Sequence, residues 1–380
     1  MPKDAGITDT CYYFEDGVPH WWESPDILIT GPSATGIATN PADNTVRLNV
    51  RRKGTAGNPP CNDPLGNGDA DFLQLDLWVC IPNAGPIAPT SITLVQKIQH
   101  SVGAGFQEIM LGVGGAPYLA APPAPGGEQI VDVTWKLPRN PASQHPAEGS
   151  GHKCMIARVY PNTDSPSSGT FEVIDDQHYA QRNICINVCN SPCSVDLVAA
   201  NVNNELPREF QLRVVHNPNP SRFLRETIAL SLEESGIEWG EIAQRPPNAG
   251  FGLRVSDMPN IKWVRNQPPR QVTPVDFDGC RRLILMLVQQ LLQMRQRDTL
   301  QRHTPTVAQA VQRQQNVLPT IMLPNSVEGT VPLAPNQIAG YRFETDLDGE
   351  PPGSTHIFHV MEIENGVVQG GVTMVMIKGA

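Results

Sequence analysis

The chain has no run of apolar residues long enough to cross a bilayer; its longest, Leu283 to Val288, falls far short of the roughly 20 residues a spanning helix needs. Its opening stretch, MPKDAGITDTCYYFEDG, contains no apolar core of the kind a secretory leader carries. At face value the chain is therefore made in the cytoplasm, and its final location, particle-associated or extracellular, stays open. Positive charge is scarce: 28 Lys and Arg stand against 38 Asp and Glu, a net charge of −10. A nucleic-acid partner would call for a basic stripe, and the one basic cluster, Arg51-Arg52-Lys53, reads as a solvated strand end. Also missing are a Gly-x-Ser-x-Gly elbow and a His-Glu-x-x-His helix. Eight cysteines are present, but Cys185, Cys189 and Cys193 recur at intervals of four, not at the two-residue gaps of a zinc knuckle. They read as a local disulfide or as free thiols near a domain junction.

What the chain has in excess is proline, 37 of 380 residues, about twice the usual share, together with 32 glycines. Such punctuation between short apolar runs predicts a mainly β protein. Alternation places Val46, Leu48 and Val50 on one strand face, then Leu73, Leu75, Leu77 and Val79, then Val131, Val133, Trp135 and Leu137. The run 153–160 is nearly all apolar, as a central strand with both faces covered would be, and Ile184, Ile186 and Val188 line up in the next. A second set follows, with Phe210, Leu212 and Val214, then "ETIALSL" and "FGLRV", and a closing hairpin around Asn365-Gly366. At this length two domains are expected: an arm over 1–19, a first sandwich over 20–190 and a second over 191–380.

One segment breaks the β pattern. Between about 276 and 316, Leu283, Leu287, Leu291 and Met294 recur at helical spacing, flanked by Ile284, Val288 and Leu292. This predicts a helical insertion whose wide apolar stripe either covers its own sandwich or meets another subunit. Those four residues are the expected partner-binding set, through self-association or contact with other subunits.

Candidate chemistry is thin. Asp175, Asp176 and His178 stand close enough for a base and its orienter, but no nucleophile accompanies them, and a polar loop leading into a strand accounts for them. His152 and Cys154 share a strand side, yet two ligands do not make a metal site. Asp63, Asn67, Asp69 and Asp71 lie among glycines that could wrap a calcium ion, although the loop lacks the closing glutamate of an EF-hand and reads as an acidic turn. "GVGGAPY" (112–118) has no strand-then-helix context for a phosphate cradle. The expectation is no catalytic residue, no metal and no cofactor. Cys80 and Cys154, set in apolar strands, are expected to be buried. In "HWWESPDILIT" (20–30), Trp22 is expected to be buried and Ile27 and Ile29 to share a face, with Ser24 or Asp26 holding the bend, while Trp21 is the aromatic to watch for a partner contact.

Four segments together resemble bacterial immunoglobulin-like domains of the CARDB (cell-adhesion-related) class. Trp22, Ser24, Pro25, Asp26 and Ile27 match a Trp-x-Ser-Pro-Asp-Ile opening, and Arg51 to Gly54 loosely match a Val-x-Val-Arg-Asn-Arg-Gly strand. Gly151, His152 and Cys154 match a Gly-His-x-Cys strand, and Ala180, Gln181, Arg182 and Asn183 match the last four positions of a closing Asn-x-x-Ala-Gln-Arg-Asn. The motifs span about 20 to 188; "VVQGGVTMVMI" is more distantly similar to the closing hairpin of a second such domain. The resemblance implies β-sandwiches without catalytic residues of their own. The expected function is a non-catalytic structural or interaction protein, a subunit or decoration of a larger extracellular, phage-like or injection-type particle or surface layer. The alternative is an extracellular adhesin or glycan-binding module.

Overall fold

A computed structural model describes residues 11–17, 20–30, 43–54, 72–80, 106–109, 118–136, 154–161, 169–190, 192–201, 206–234, 239–255, 321–323, 326–335 and 337–379. The expected helical insertion with Leu283, Leu287, Leu291 and Met294, the Asp63–Asp71 loop, His152 and "GVGGA" lie outside the described residues.

Four strands form the first antiparallel sheet: β1 (Tyr12–Tyr13), β2 (Ile27–Thr30), β3 (Asp43–Arg52) and β7 (Glu128–Lys136). β7 runs the length of one edge of β3, so β1 and β2 share the other, end to end. The second sheet is built around β4 (Leu73–Cys80), which carries β8 (Met155–Pro161) on one edge and β5 (Phe106–Ile109) and β6 (Tyr118–Ala120) on the other; β9 (Tyr179–Arg182) extends it beyond β8. The alternation seen in the sequence decides which faces meet. Val46, Leu48, Val50 and Val131 join Leu73, Leu75, Leu77 and Val79 in one core. Each such side chain contributes about 1.5–3 kcal/mol by leaving water. β8 has neighbours on both edges and is buried along nearly all its length, which explains a run that is apolar except at Arg158, whose guanidinium pairs with Asp76.

A six-stranded sheet follows, in the order β10 (Ile184–Cys189), β18 (Val367–Lys378), β17 (Thr355–Glu364), β12 (Arg208–His216), β15 (Ser326–Leu333), β14 (Ile321–Leu323). Only β10 against β18 is parallel. The two-residue turn between β17 and β18 places Asn365 and Gly366 at φ 53° and 78°, the left-handed pair that an Asn-Gly hairpin supplies. Its even-numbered face meets a three-stranded sheet of β11 (Cys193–Ala200), β16 (Ile338–Thr345) and β13 (Phe251–Val255), with Phe210, Leu212, Phe343 and Phe358 in the shared core.

The other face of the six-stranded sheet corrects one expectation. "ETIALSL" is not a strand but part of helix α1 (Arg222–Glu234). Two proline residues stop β12, and Ser221 then caps the helix, its Oγ accepting the Leu224 N–H at 3.1 Å. Leu224, Ile228 and Leu232, four residues apart, close over Ile357, Val375 and Ile377. Apolar residues at 224, 228 and 232 fit the helical period, whereas the alternation within the shorter segment mimics a strand. The protein is thus mainly β, with one helix among the described residues.

Candidate functional site

Beyond α1, the same face of the six-stranded sheet is covered by the stretch that begins HWWESPD. Trp22 is fully buried and lies on Gly371, Met361 and Ile363. Its indole N–H donates to Thr373 Oγ1 at 3.1 Å. The chain crosses between the sheets at Asn183, which separates β9 from β10. The Asn183 N–H donates to the Trp22 carbonyl at 2.9 Å, its carbonyl accepts from Thr373 N–H at 3.0 Å, and its Nδ2 donates to the Gly371 carbonyl at 2.6 Å. A single asparagine therefore ties the tryptophan segment to the final strand.

The bend after Trp22 is held as the sequence predicts. Asp26 N–H donates to Ser24 Oγ at 3.2 Å, and Ser24 Oγ donates to the Glu15 carbonyl at 2.5 Å. Ile27 and Ile29 then point together into the first core. Trp21 is half-buried and meets Trp22 edge-on at 5.5 Å, its indole nitrogen lacking a hydrogen-bond partner.

Between α1 and Trp22 the sheet is left uncovered, and a pocket of about 330 Å³ opens there, lined by His20, Glu23, Val215, Asn217, His359 and Met361 among others. Glu23 and His359 are 3% and 2% exposed, so both polar groups have left water and need partners. The Glu23 Oε1 lies 3.3 Å from His359 Nδ1 and accepts the Thr373 hydroxyl; its Oε2 lies 3.8 Å from His20 Nδ1. The His20 and His359 rings sit against each other, centroids 3.6 Å apart and planes tilted by 32°. A turn fixes His20: the Glu23 N–H donates to its carbonyl at 2.9 Å, and a Cβ on Gly17 would stand 2.2 Å from that same oxygen, so the approach requires glycine.

The hydrogen bonds assign the His359 tautomer. Asn219 N–H donates to Asn217 Oδ1 at 3.0 Å, which turns Asn217 Nδ2 toward His359 Nε2 at 2.7 Å. Nε2 therefore accepts, and Nδ1 carries the proton toward Glu23 and Thr373. Charge follows the same pattern. Burial lowers the pKa of His359, keeping it neutral. Burial alone would raise the Glu23 carboxyl, but the neighbouring His20 and His359 imidazoles and the Thr373 hydroxyl outweigh it and hold the group down at about 2. The site presents an ionised carboxylate between two imidazoles, one buried and one at the rim, a donor set suited to a divalent cation.

The residues singled out in the sequence go elsewhere. Asp176 and His178 do meet, with Oδ1 2.6 Å from Nδ1 and 2.9 Å from the His178 N–H, but they are buried in the turn before β9 and do not line this pocket. Asp175 is exposed beside them. Cys80 and Cys154 are buried, Gln181 Nε2 donates to Cys154 Sγ at 3.1 Å, and burial pushes that thiol up to about 12. Cys189 and Cys193 form a disulfide while Cys185 is a buried thiol in the second core. The His20–Glu23–His359 cluster has no signature in the sequence because His20 and Glu23 lie near one end of the chain and His359 near the other. Only His20-x-x-Glu23, both facing one side of a turn, offered a hint. No protein-family model matches the chain, and no curated protein matches its sequence.

Proposed function

We propose that this is a non-catalytic structural or interaction protein, a subunit or decoration of a larger particle or surface layer. In this reading it is built of two immunoglobulin-like sandwiches, as the CARDB-type motifs imply, with a helical insertion at about 276–316 that engages a neighbouring subunit through Leu283, Leu287, Leu291 and Met294. The observation that carries it is the junction at Asn183. Strand passes to strand there with one residue between them, and a buried Trp22, Thr373 and Gly371 fill the seam. Hinges need a few loop residues free to change φ and ψ, and a one-residue crossing buried under tryptophan has none. Fixed orientation between two halves is what a repeating subunit requires and what a clamshell enzyme does not use. The adhesin alternative wants an exposed aromatic platform, whereas Trp22 is fully buried and Trp21 half-buried against the same cluster.

Size-exclusion chromatography with light scattering, across a range of concentrations, tests this. Self-association that is weakened by Leu287→Glu and Leu291→Glu supports the reading. A chain that stays strictly monomeric at high concentration, and captures no partner subunit, overturns it.

A further inference from the structure

A divalent ion bound tetrahedrally by imidazole and carboxylate, with bonds of about 2.0–2.2 Å, needs donor atoms about 3.3–3.6 Å apart. In the pocket between α1 and Trp22, one donor atom each from His20, Glu23 and His359 all fall within 4.8 Å of one another. Glu23 Oε1 and His359 Nδ1 are already at 3.3 Å, and Glu23 Oε2 and His20 Nδ1 at 3.8 Å. The two edges run to different carboxylate oxygens, so a single Glu23 donor leaves separations of up to 4.8 Å to close, about an ångström of movement supplied by rotation of the half-buried His20 ring and of the carboxylate. The pocket beside them leaves room for a fourth ligand, water included.

We propose that His20, Glu23 and His359 bind a divalent transition-metal ion, with Zn²⁺ the best match to two imidazoles and a carboxylate, and that the ion fastens the N-terminal segment to the six-stranded sheet.

The groups behind the donors suit this role. Ligating imidazoles hold their far nitrogen against a carbonyl or carboxylate, and ligating carboxylates are themselves hydrogen-bonded. The Thr373 hydroxyl already bonds Glu23, and Asn217 already bonds the far nitrogen of His359. Ion binding at Nδ1 moves the His359 proton to Nε2, so the ring stays neutral and no proton is lost. The Asn217 amide then turns to present Oδ1 to the new N–H, giving up its bond from Asn219. His20 and Glu23 belong to the turn before β2, whereas His359 belongs to β17. The ion therefore cross-links segments that otherwise meet through Trp22 and Asn183. The site stands independently of any assembly role, since it is complete within one chain.

The test uses the full chain, stripped with a chelator and titrated calorimetrically with ZnCl₂, then with CoCl₂ to read the visible bands of tetrahedral Co²⁺. The expected result is a single ion per chain, Tm rising with added Zn²⁺, and affinity at least about tenfold weaker in His20→Ala and in Glu23→Gln, given that even outer-sphere changes cost 10–100-fold. His20 sits at the rim, so His20→Ala keeps the fold, checked by circular dichroism, and remains informative where the buried variant unfolds. No Zn²⁺ uptake by the native chain, or uptake that His20→Ala leaves unchanged, overturns the proposal.

Discussion

A Cβ placed on Gly371 would stand 2.4 Å from Trp22 Cζ2, nearer than real side-chain contacts come. The indole thus occupies the space of the missing side chain, and that contact sets how closely the N-terminal segment can lie on β18. Gly371→Ala should destabilise the protein by about 1–3 kcal/mol through overpacking. Trp22→Phe in the same chain should recover part of the loss, because the smaller ring gives way. Urea midpoints of the two single variants and the double variant check this through their non-additivity.

Asp26 anchors the other side of the same turn. Its side chain is fully buried and takes bonds from Arg51 Nε at 2.9 Å and Nη2 at 2.9 Å, from Asn49 Nδ2 at 3.2 Å and from the Glu15 N–H at 2.5 Å. Removing one partner of such a set strands the rest, so Asp26→Ala should cost about 3–5 kcal/mol. Arg51 retains Glu15 and Glu128 at its outer edge, which makes the loss fall at the low end of that range. Denaturant unfolding of Asp26→Ala beside Asp26→Asn measures it, with the amide retaining part of the network.

These two relationships mark where sequence legibility ends. Period-two alternation named the inward faces of β3, β4 and β12 residue by residue, because each has one face on a core. Turn chemistry located the bend at Ser24-Pro25-Asp26, where Ser24 Oγ accepts the Asp26 N–H two residues on. Alternation misread "ETIALSL", since a short apolar run alternates in either period and only the Ser221 cap and Leu224, Ile228 and Leu232 distinguish the helix. The His20–Glu23–His359 cluster had no local signature, because register between β17 and the N-terminal turn is set by Trp22 on Gly371, a contact across the whole chain.

Burial governs the thiols. Cys80, Cys154 and Cys185 are enclosed, and the Cys154 thiol is pushed up to about 12 by desolvation, so at neutral pH it has almost no thiolate to react. A bulky maleimide should leave all three unmodified in the native protein over hours and label them once urea unfolds it. Mass spectrometry of tryptic peptides reads the sites. Prompt native labelling of Cys80 or Cys154 would show that these strands open.

Acid should weaken the fold in two windows. Burial lowers His216 and His356 to about 4 from 6.5, so between those values the unfolded chain takes up protons that the native state refuses. Stability contributed by these neutral histidines is complete above 6.5 and falls as the pH drops toward 4. Glu23 adds a second window. It is held at about 2 against 4.5, so its contribution is complete above 4.5 and is lost as the pH falls toward 2. Urea midpoints recorded in chelator from about pH 8 to about pH 3 should therefore decline in two stages. His216→Gln should shrink the upper stage, with His356 retaining the rest, and leave the lower one, whereas Glu23→Gln should remove the lower stage. A midpoint that stays level through the upper window would show that these two histidines take up protons without opposing the fold.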